Sequence, residues 1–206
     1  MNIPWLDWAK QIQAISQAGL TYAKDGYDLE RYEALRSISV EMMSHFTDTP
    51  VDKVAELFAG ETGYATPKVD IRAVVLHEDK LLLVRERADG AWSLPGGWAD
   101  IGLTPSEIAV KETKEEAGYD VRPVRLLAVL DKSRHAHPPS PYHVYKIFIL
   151  CELVGGEALE AGLETTGVGF FAESALPPLS VERNTAEQLG RMFTLARSST
   201  PDVLLD

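Results

Sequence analysis

Three carboxylates, Glu112, Glu115 and Glu116, stand at helical neighbour spacing in this chain. On one side of a helix such acids repel one another, at roughly 0.2–0.5 kcal/mol per pair. Glu115 and Glu116 also precede Gly118, at the helix end where the macrodipole disfavours anions. Water carries most charge runs of this kind. Divalent cations can carry this one: clustered carboxylates suit hard ions such as Mg2+, usually held by one or two carboxylates with waters and substrate phosphates. An ion held in this way polarises phosphoryl oxygens, generates hydroxide near neutral pH and stabilises a leaving phosphate.

Such a cluster needs a rigid mount, and the residues before it supply one. Gly96 and Gly97 mark backbone that turns tightly and comes close to something, since a residue without Cβ tolerates both. Thr104, Pro105 and Glu107 form a capping-box signature that predicts a helix from Thr104 or one residue later, closed by Gly118. At ~100° per residue, Ser106, Val110, Thr113 and Ala117 share a small, mostly apolar face suited to lie on a sheet, with the three acids opposite.

Residues 96–119 resemble the Nudix hydrolase box, G-x5-E-x7-R-E-U-x-E-E-x-G-U, where U is aliphatic. Gly97 takes the first glycine, Glu112, Glu115 and Glu116 the three core carboxylates, and Gly118 the closing glycine. The pattern departs at Leu103, where Glu is expected, at Lys111 for Arg, and at Thr113 and Tyr119 for aliphatic residues. The resemblance implies Mg2+ or Mn2+ as cofactor, Glu112 and Glu116 as direct ligands, Glu115 as ligand or support, and a backbone carbonyl of Gly96 or Gly97 completing the set. It also implies a catalytic base from a loop before a late strand. Glu164 is the choice there, six residues before Phe170, with Glu160 and Glu157 as competitors.

The fold class expected is α/β. Residues 69–77 and 80–85 read as strands rich in Val, Ile and Leu, residues 121–130, 142–153 and 168–171 as later strands, and a final helix begins near Asn184 and Thr185. Strands around a central helix with another helix at the end suggest a mixed sheet between helices. The resemblance implies the Nudix α/β/α sandwich. Before it, residues 1–66 read as a small all-α domain: one helix with Trp5, Trp8, Ile12 and Ile15 and Gly19 beyond them, a second capped by Asp28, and a third started by Thr49 and Pro50 and ended by Gly60. Three short helices cannot bury that much apolar surface among themselves. They must dock on residues 67–206 or on a second copy of the chain, and a homodimer is expected because symmetric dimers are the commonest oligomers.

With 45% hydrophobic and 25% charged residues the composition is that of a globular protein. No apolar run reaches the length of a membrane span, and no basic-then-apolar start reads as a secretion signal. The single cysteine, Cys151, lies in an apolar run, reads as a buried strand residue and fits the reducing cytoplasm. A net charge of -11 repels polyanions, so duplex nucleic acid is not an expected partner and an anionic small substrate needs cations to bring it in.

Candidate substrate contacts lie in the polar loop after residue 130. Lys132, Arg134, His135 and Lys146 could meet phosphates, or His135 could act as a base near neutral pH, while Arg72, Arg85 and Arg87 could meet a phosphate or pair with the acids. The helical N-terminal segment, the sequence around Trp92 to Asp100, and Asp131-Lys132 followed by His137-Pro138-Pro139 make the chain similar to bacterial Nudix enzymes that cleave CDP-choline to CMP and phosphocholine. Under that resemblance Trp98 or Trp92 would offer a ring face to the quaternary ammonium. Two alternatives stand beside this reading: an ADP-ribose or nucleotide-sugar pyrophosphatase with the same chemistry, and a nucleotide-sensing protein that keeps the fold without turnover.

Overall fold

The computed structural model describes residues 4–206; residues 1–3, the start of the expected helical domain, lie outside the described residues. The chain forms two compact units.

The first comprises residues 4–67 with Pro139–His143 and contains α1 (Pro4–Tyr22), α2 (Gly26–Thr47) and α3 (Val51–Ala59). Leu6, Ala9, Val40, Met43, Val54 and Ala59 are its buried core, edged by Trp5, Met42, Ala55 and Phe58. One expectation is corrected by this unit. Asp25, not Asp28, caps α2, its side chain accepting from the N–H groups of Tyr27 and Asp28, so the helix begins a turn earlier and Asp28 pairs with Arg31 inside it. Gly19 lies within α1, where a Cβ would stand 2.4 Å from the Tyr32 ring, so the glycine admits a close helix contact.

The second unit, Lys68–Pro138 with Val144–Asp206, holds the mixed sheet. Its strands are β1 (Lys68–His77), β2 (Lys80–Glu86), β3 (Trp92–Ser93), β4 (Gly96–Trp98), β5 (Tyr119–Asp131), β6 (Val144–Gly156), β7 (Thr165–Ala172) and β8 (Leu204–Leu205). The order is β3-β2-β1-β6-β5-β8, with β4 paired to β1 and β7 to β2. β1 runs parallel to β6, and β5 antiparallel to it.

Side chains alternate across β1, so Ile71, Ala73 and Val75 join Leu82, Val84, Ile149 and Cys151 under α4 (Pro105–Ala117), while Val74 joins Leu81, Leu83, Phe148 and Leu127 under α5 (Ala186–Arg197). The two faces give the α/β/α sandwich. Ile108, wholly buried, fastens α4 to its face; such burial contributes ~1.5–3 kcal/mol, and Ile108→Ala would cost ~2–5 kcal/mol. Cys151 sits in the same layer, its thiol pushed up to about 12 by burial. Among the described residues no helix is long and apolar enough to cross a membrane.

Candidate active site

The glycine strand β4 lies against β1, with Gly97 opposite Ile71 and Gly96 opposite Arg72. Gly96 has φ of +140°, and a Cβ there would stand 2.0 Å from the carbonyl oxygen of Ile71. The close approach read from the sequence is therefore backbone against backbone, open only to glycine. On its other side Gly96 donates its N–H to Glu116 Oε2 at 2.8 Å, and a Cβ on Gly97 would come within 3.3 Å of Glu112 Oε2. The two glycines thus stand directly beside two of the helix acids.

From β4 the chain makes a turn in which Leu103 N–H donates to Asp100 O at 3.3 Å and Gly102 takes φ of +92°, as the third position of a type II turn requires. Thr104 then caps α4, accepting from Glu107 N–H while Glu107 accepts from Thr104 N–H at 2.8 Å, and Gly118 closes it in the left-handed conformation. The helix is where the capping residues put it, and of the expected face Thr113 and Ala117 are buried and Val110 packs on the core, but the face is wider and rotated away from Ser106. Ile108, Ala109, Thr113, Glu116 and Ala117 are buried and Ser106 is exposed, because the helix is seated on the bulky Ile108. Glu116 therefore parts from the solvated acids and faces inward, at 7% exposure.

Burial pushes Glu116 up to about 8; the Gly96 N–H and Arg72 oppose that shift, and Glu86 and Glu112 add to it. Burial favours the neutral acid, and an opposite charge beside such a group would favour its ionised form. Glu112 is next in exposure, its side chain 15% open, and Glu115 is 60% open. Lys111 supplies a cation of its own: its ammonium lies 3.0 Å from Glu112 Oε1, 3.1 Å from Glu115 Oε2 and 3.4 Å from Asp100 Oδ2. Glu112 first and Glu115 next raise its pKa. Among the described residues no three acidic, imidazole or thiol side chains converge into a ready cation cage. Glu112 and Glu116, beside the glycine strand, are oxygen donors of the kind that Mg2+ takes, a hard ion that needs few protein ligands and completes its shell with water and substrate phosphates.

Glu164 sits exposed in the loop that runs from β6 to β7. Hydrogen bonds tie that loop to the last turn of α4 and to the end of β2: Thr165 Oγ1 donates to Glu116 O at 2.8 Å, Leu159 N–H to Ala117 O at 3.1 Å, and Arg87, just past β2, donates from its guanidinium to the carbonyls of Gly162 and Leu163 and from its N–H to that of Glu164. Glu157 and Glu160 are exposed in the same loop.

The substrate candidates separate into four places. Arg72 and Lys146 are buried on either side of Asp70, Arg72 at 2.9 Å, and Arg72 also donates to Leu94 O. Burial pushes Asp70 up, but Arg72 and Lys146 together outweigh it and hold the carboxyl below its usual range; burial lowers Lys146 to about 8. Lys132 pairs with Glu182 at 3.0 Å and His135 with Asp206 at 3.2 Å, so the same strand end gathers Lys132, His135 and Lys146 around His137. Arg85 is elsewhere, donating to Gly90 O in the turn after β2. Trp98, half exposed, lies on β4 next to Gly97.

Two further residues belong to this neighbourhood. Glu86 is buried at the end of β2, held by Ser93 Oγ at 2.6 Å and Arg183 Nε at 2.8 Å, and its charge bears on Glu116. Alternation was the available signal, since Glu86 continues the inward positions Leu82 and Val84. Asp100 gave no signal of its own, because its partner Lys111 lies on the next element.

Comparison with known proteins gives the family: residues 66–192 match the NUDIX domain, and residues 4–58 match a family described as "UDP-X-like, N-terminal oligomerisation domain". The chain belongs to the Nudix hydrolases. It is 51% identical over 202 residues to a Bacillus subtilis (strain 168) protein, YjhB, provisionally named an ADP-ribose pyrophosphatase, covering 98% of this chain and 97% of that one. It is similar to the crystal structure of a UDP-X diphosphatase, with TM-score 0.64, 35% identity and 98% of each chain covered. A crystal structure of an ADP-ribose pyrophosphatase from Streptococcus suis 89-1591 matches with TM-score 0.63 and 48% identity, over 68% of this chain and all of that one. The protein is accordingly a Nudix pyrophosphatase acting on a nucleoside diphosphate linked to another moiety, in a family that generally uses divalent metal ions.

Proposed function

We propose that this enzyme hydrolyses the pyrophosphate bond of ADP-ribose or of a UDP-linked moiety, with Mg2+ or Mn2+ held by Glu112, Glu116 and a carbonyl of Gly96 or Gly97. The observation that carries the site is the buried Glu116 bound to the Gly96 N–H, with Glu112 beside the neighbouring glycine. When bound, the cation polarises the phosphoryl oxygens and offsets the charge of the diphosphate. Glu115, the most open of the three, supports that charge, and Glu164 takes the proton of the attacking water. Lys132 and His135 face the substrate's phosphates, while buried Arg72 and Lys146 add positive field from beneath.

The substrate class rests on the relatives that match over nearly the whole chain. CDP-choline is a second reading, favoured by one observation: the exposed ring of Trp98 next to Gly97 suits a quaternary ammonium. A panel of ADP-ribose, a UDP-linked sugar and CDP-choline, followed by chromatography of the products, separates these. Cleavage of CDP-choline alone would reverse the order of the two readings.

Residues 1–66 serve as the dimerisation domain in this reading. Trp8, Ile15 and Tyr22, 57%, 59% and 65% exposed, recur every seventh residue of α1 and so form one apolar stripe that a second copy would cover. The single buried cysteine suits a cytoplasmic enzyme.

A further inference from the structure

Neighbouring residues of a helix point about 100° apart, so Lys111 and Glu112 are not natural partners. The pairing that α4 offers Lys111 by default is the one with Glu115, four residues on. Yet the Lys111 ammonium also holds Glu112 Oε1, and the third carboxylate that draws it, Asp100, comes from outside the helix. We propose that Asp100 is a positioning residue: through Lys111 it fixes one oxygen of Glu112 and so turns the other toward Gly97, where the cation is to bind. This inference rests on the metal site proposed above.

Three relationships support it. Asp100 is firmly placed, since Ala99 N–H before it donates to Val69 O of β1 at 2.8 Å, and its own carbonyl closes the turn with Leu103. A side chain on that anchor can direct the flexible four-carbon stem of Lys111. The two oxygens of Glu112 are also divided: Oε1 lies 3.0 Å from the ammonium, and Oε2 is the atom that a Cβ on Gly97 would approach. Lastly, Glu112, Glu115 and Asp100 share this one ammonium, so removing it leaves three mutually repelling carboxylates, of which Glu112 alone borders the glycine strand.

Asp100 is exposed and Lys111 partly so, and ion pairs open to water contribute little to stability, so their role is to be sought in ligand geometry. Leu103 is also exposed and stands between the Asp100 turn and the helix cap, offering a second place from which a carboxylate could be presented to Lys111.

The test titrates Mn2+ into the metal-free full-length protein, following free Mn2+ by electron paramagnetic resonance, with melting temperature and kcat and KM measured alongside. Asp100→Asn should weaken Mn2+ binding by about 10-fold or more and lower kcat, with KM for the nucleotide and the melting temperature unchanged. Lys111→Met should do the same, and the double variant should be no worse than Lys111→Met alone, because both act through one atom. Adding Leu103→Glu to Asp100→Asn should restore part of the affinity. Unchanged Mn2+ affinity in Asp100→Asn, or tighter binding in Lys111→Met, would overturn the proposal, the latter because the ammonium would then be only a competitor for the carboxylates. Glu116→Gln separates the two levels. If it binds Mn2+ like the wild type, or if the wild type binds none, the metal site itself fails; if it loses Mn2+ while Asp100→Asn does not, only the positioning role fails.

Discussion

Gly96 donates its N–H to Glu116 Oε2 at 2.8 Å across a gap of twenty residues, from a backbone conformation, φ +140°, that side chains rarely adopt. The contact joins the two halves of the site. Gly96→Ala would drive a Cβ to 2.0 Å from Ile71 O, and the clash is with backbone on a central strand. It should destabilise the protein by at least about 2–3 kcal/mol in chemical denaturation. Gly97→Ala, whose Cβ would meet only the Glu112 carboxylate, with Oε2 at 3.3 Å, should fold with wild-type stability and lose metal affinity.

The three acids should differ in effect in the order of their burial. Glu112→Gln and Glu116→Gln should each lower Mg2+-dependent turnover by at least about 100-fold, since both remove an oxygen from the proposed cation site, whereas Glu115→Gln, largely open to water, should cost about 10-fold. Steady-state rates across a Mg2+ series check this, and equal losses for all three would contradict the assigned roles.

Much of the scaffold was legible because its causes are local. Thr104, Pro105 and Glu107 fix the start of α4 within one turn, and Gly118 fixes its end, whatever the rest of the chain does. Runs such as residues 69–77 and 80–85 declare strands by composition. What was not legible depends on partners distant in sequence. β4 and β8 are three and two residues long and exist only because β1 and β5 offer them hydrogen bonds. Glu116 looked like the third member of a solvated face, and only the arrival of Gly96 and the seating of Ile108 turn it inward. The same holds for Asp70, whose neighbour in the sheet, Lys146, lies seventy-six residues away.

That buried charge group gives a pH prediction. Arg72 and Lys146 depress the folded-state pKa of Asp70, so its stabilising contribution is complete above the ordinary carboxyl value of 3.8 and is lost as pH falls through the lower folded value. Asp70→Asn leaves two buried cations facing each other and should destabilise the protein by ~3–5 kcal/mol at neutral pH. The difference between wild type and variant in urea denaturation should shrink below about pH 4. A difference that stays constant from pH 7 to pH 3 would show that the Asp70 charge is not what holds this group.

If the stripe on α1 is the dimer contact, Trp8→Glu with Ile15→Glu places two charges in it without touching the core of Leu6, Ala9, Val40 and Met43. Sedimentation velocity should then report a monomer where the wild type reports a dimer, with helix content unchanged. A dimer that survives both substitutions would move the contact off that stripe.

The most direct test compares the wild type with Glu116→Gln on ADP-ribose, following AMP and ribose 5-phosphate by phosphorus NMR with and without Mg2+. A neutral amide keeps an oxygen for the Gly96 N–H, so the variant should melt as the wild type does while releasing products at least about 100-fold more slowly. Wild-type turnover should require the ion. Equal turnover by the variant, or full turnover with the ion chelated, would contradict the account.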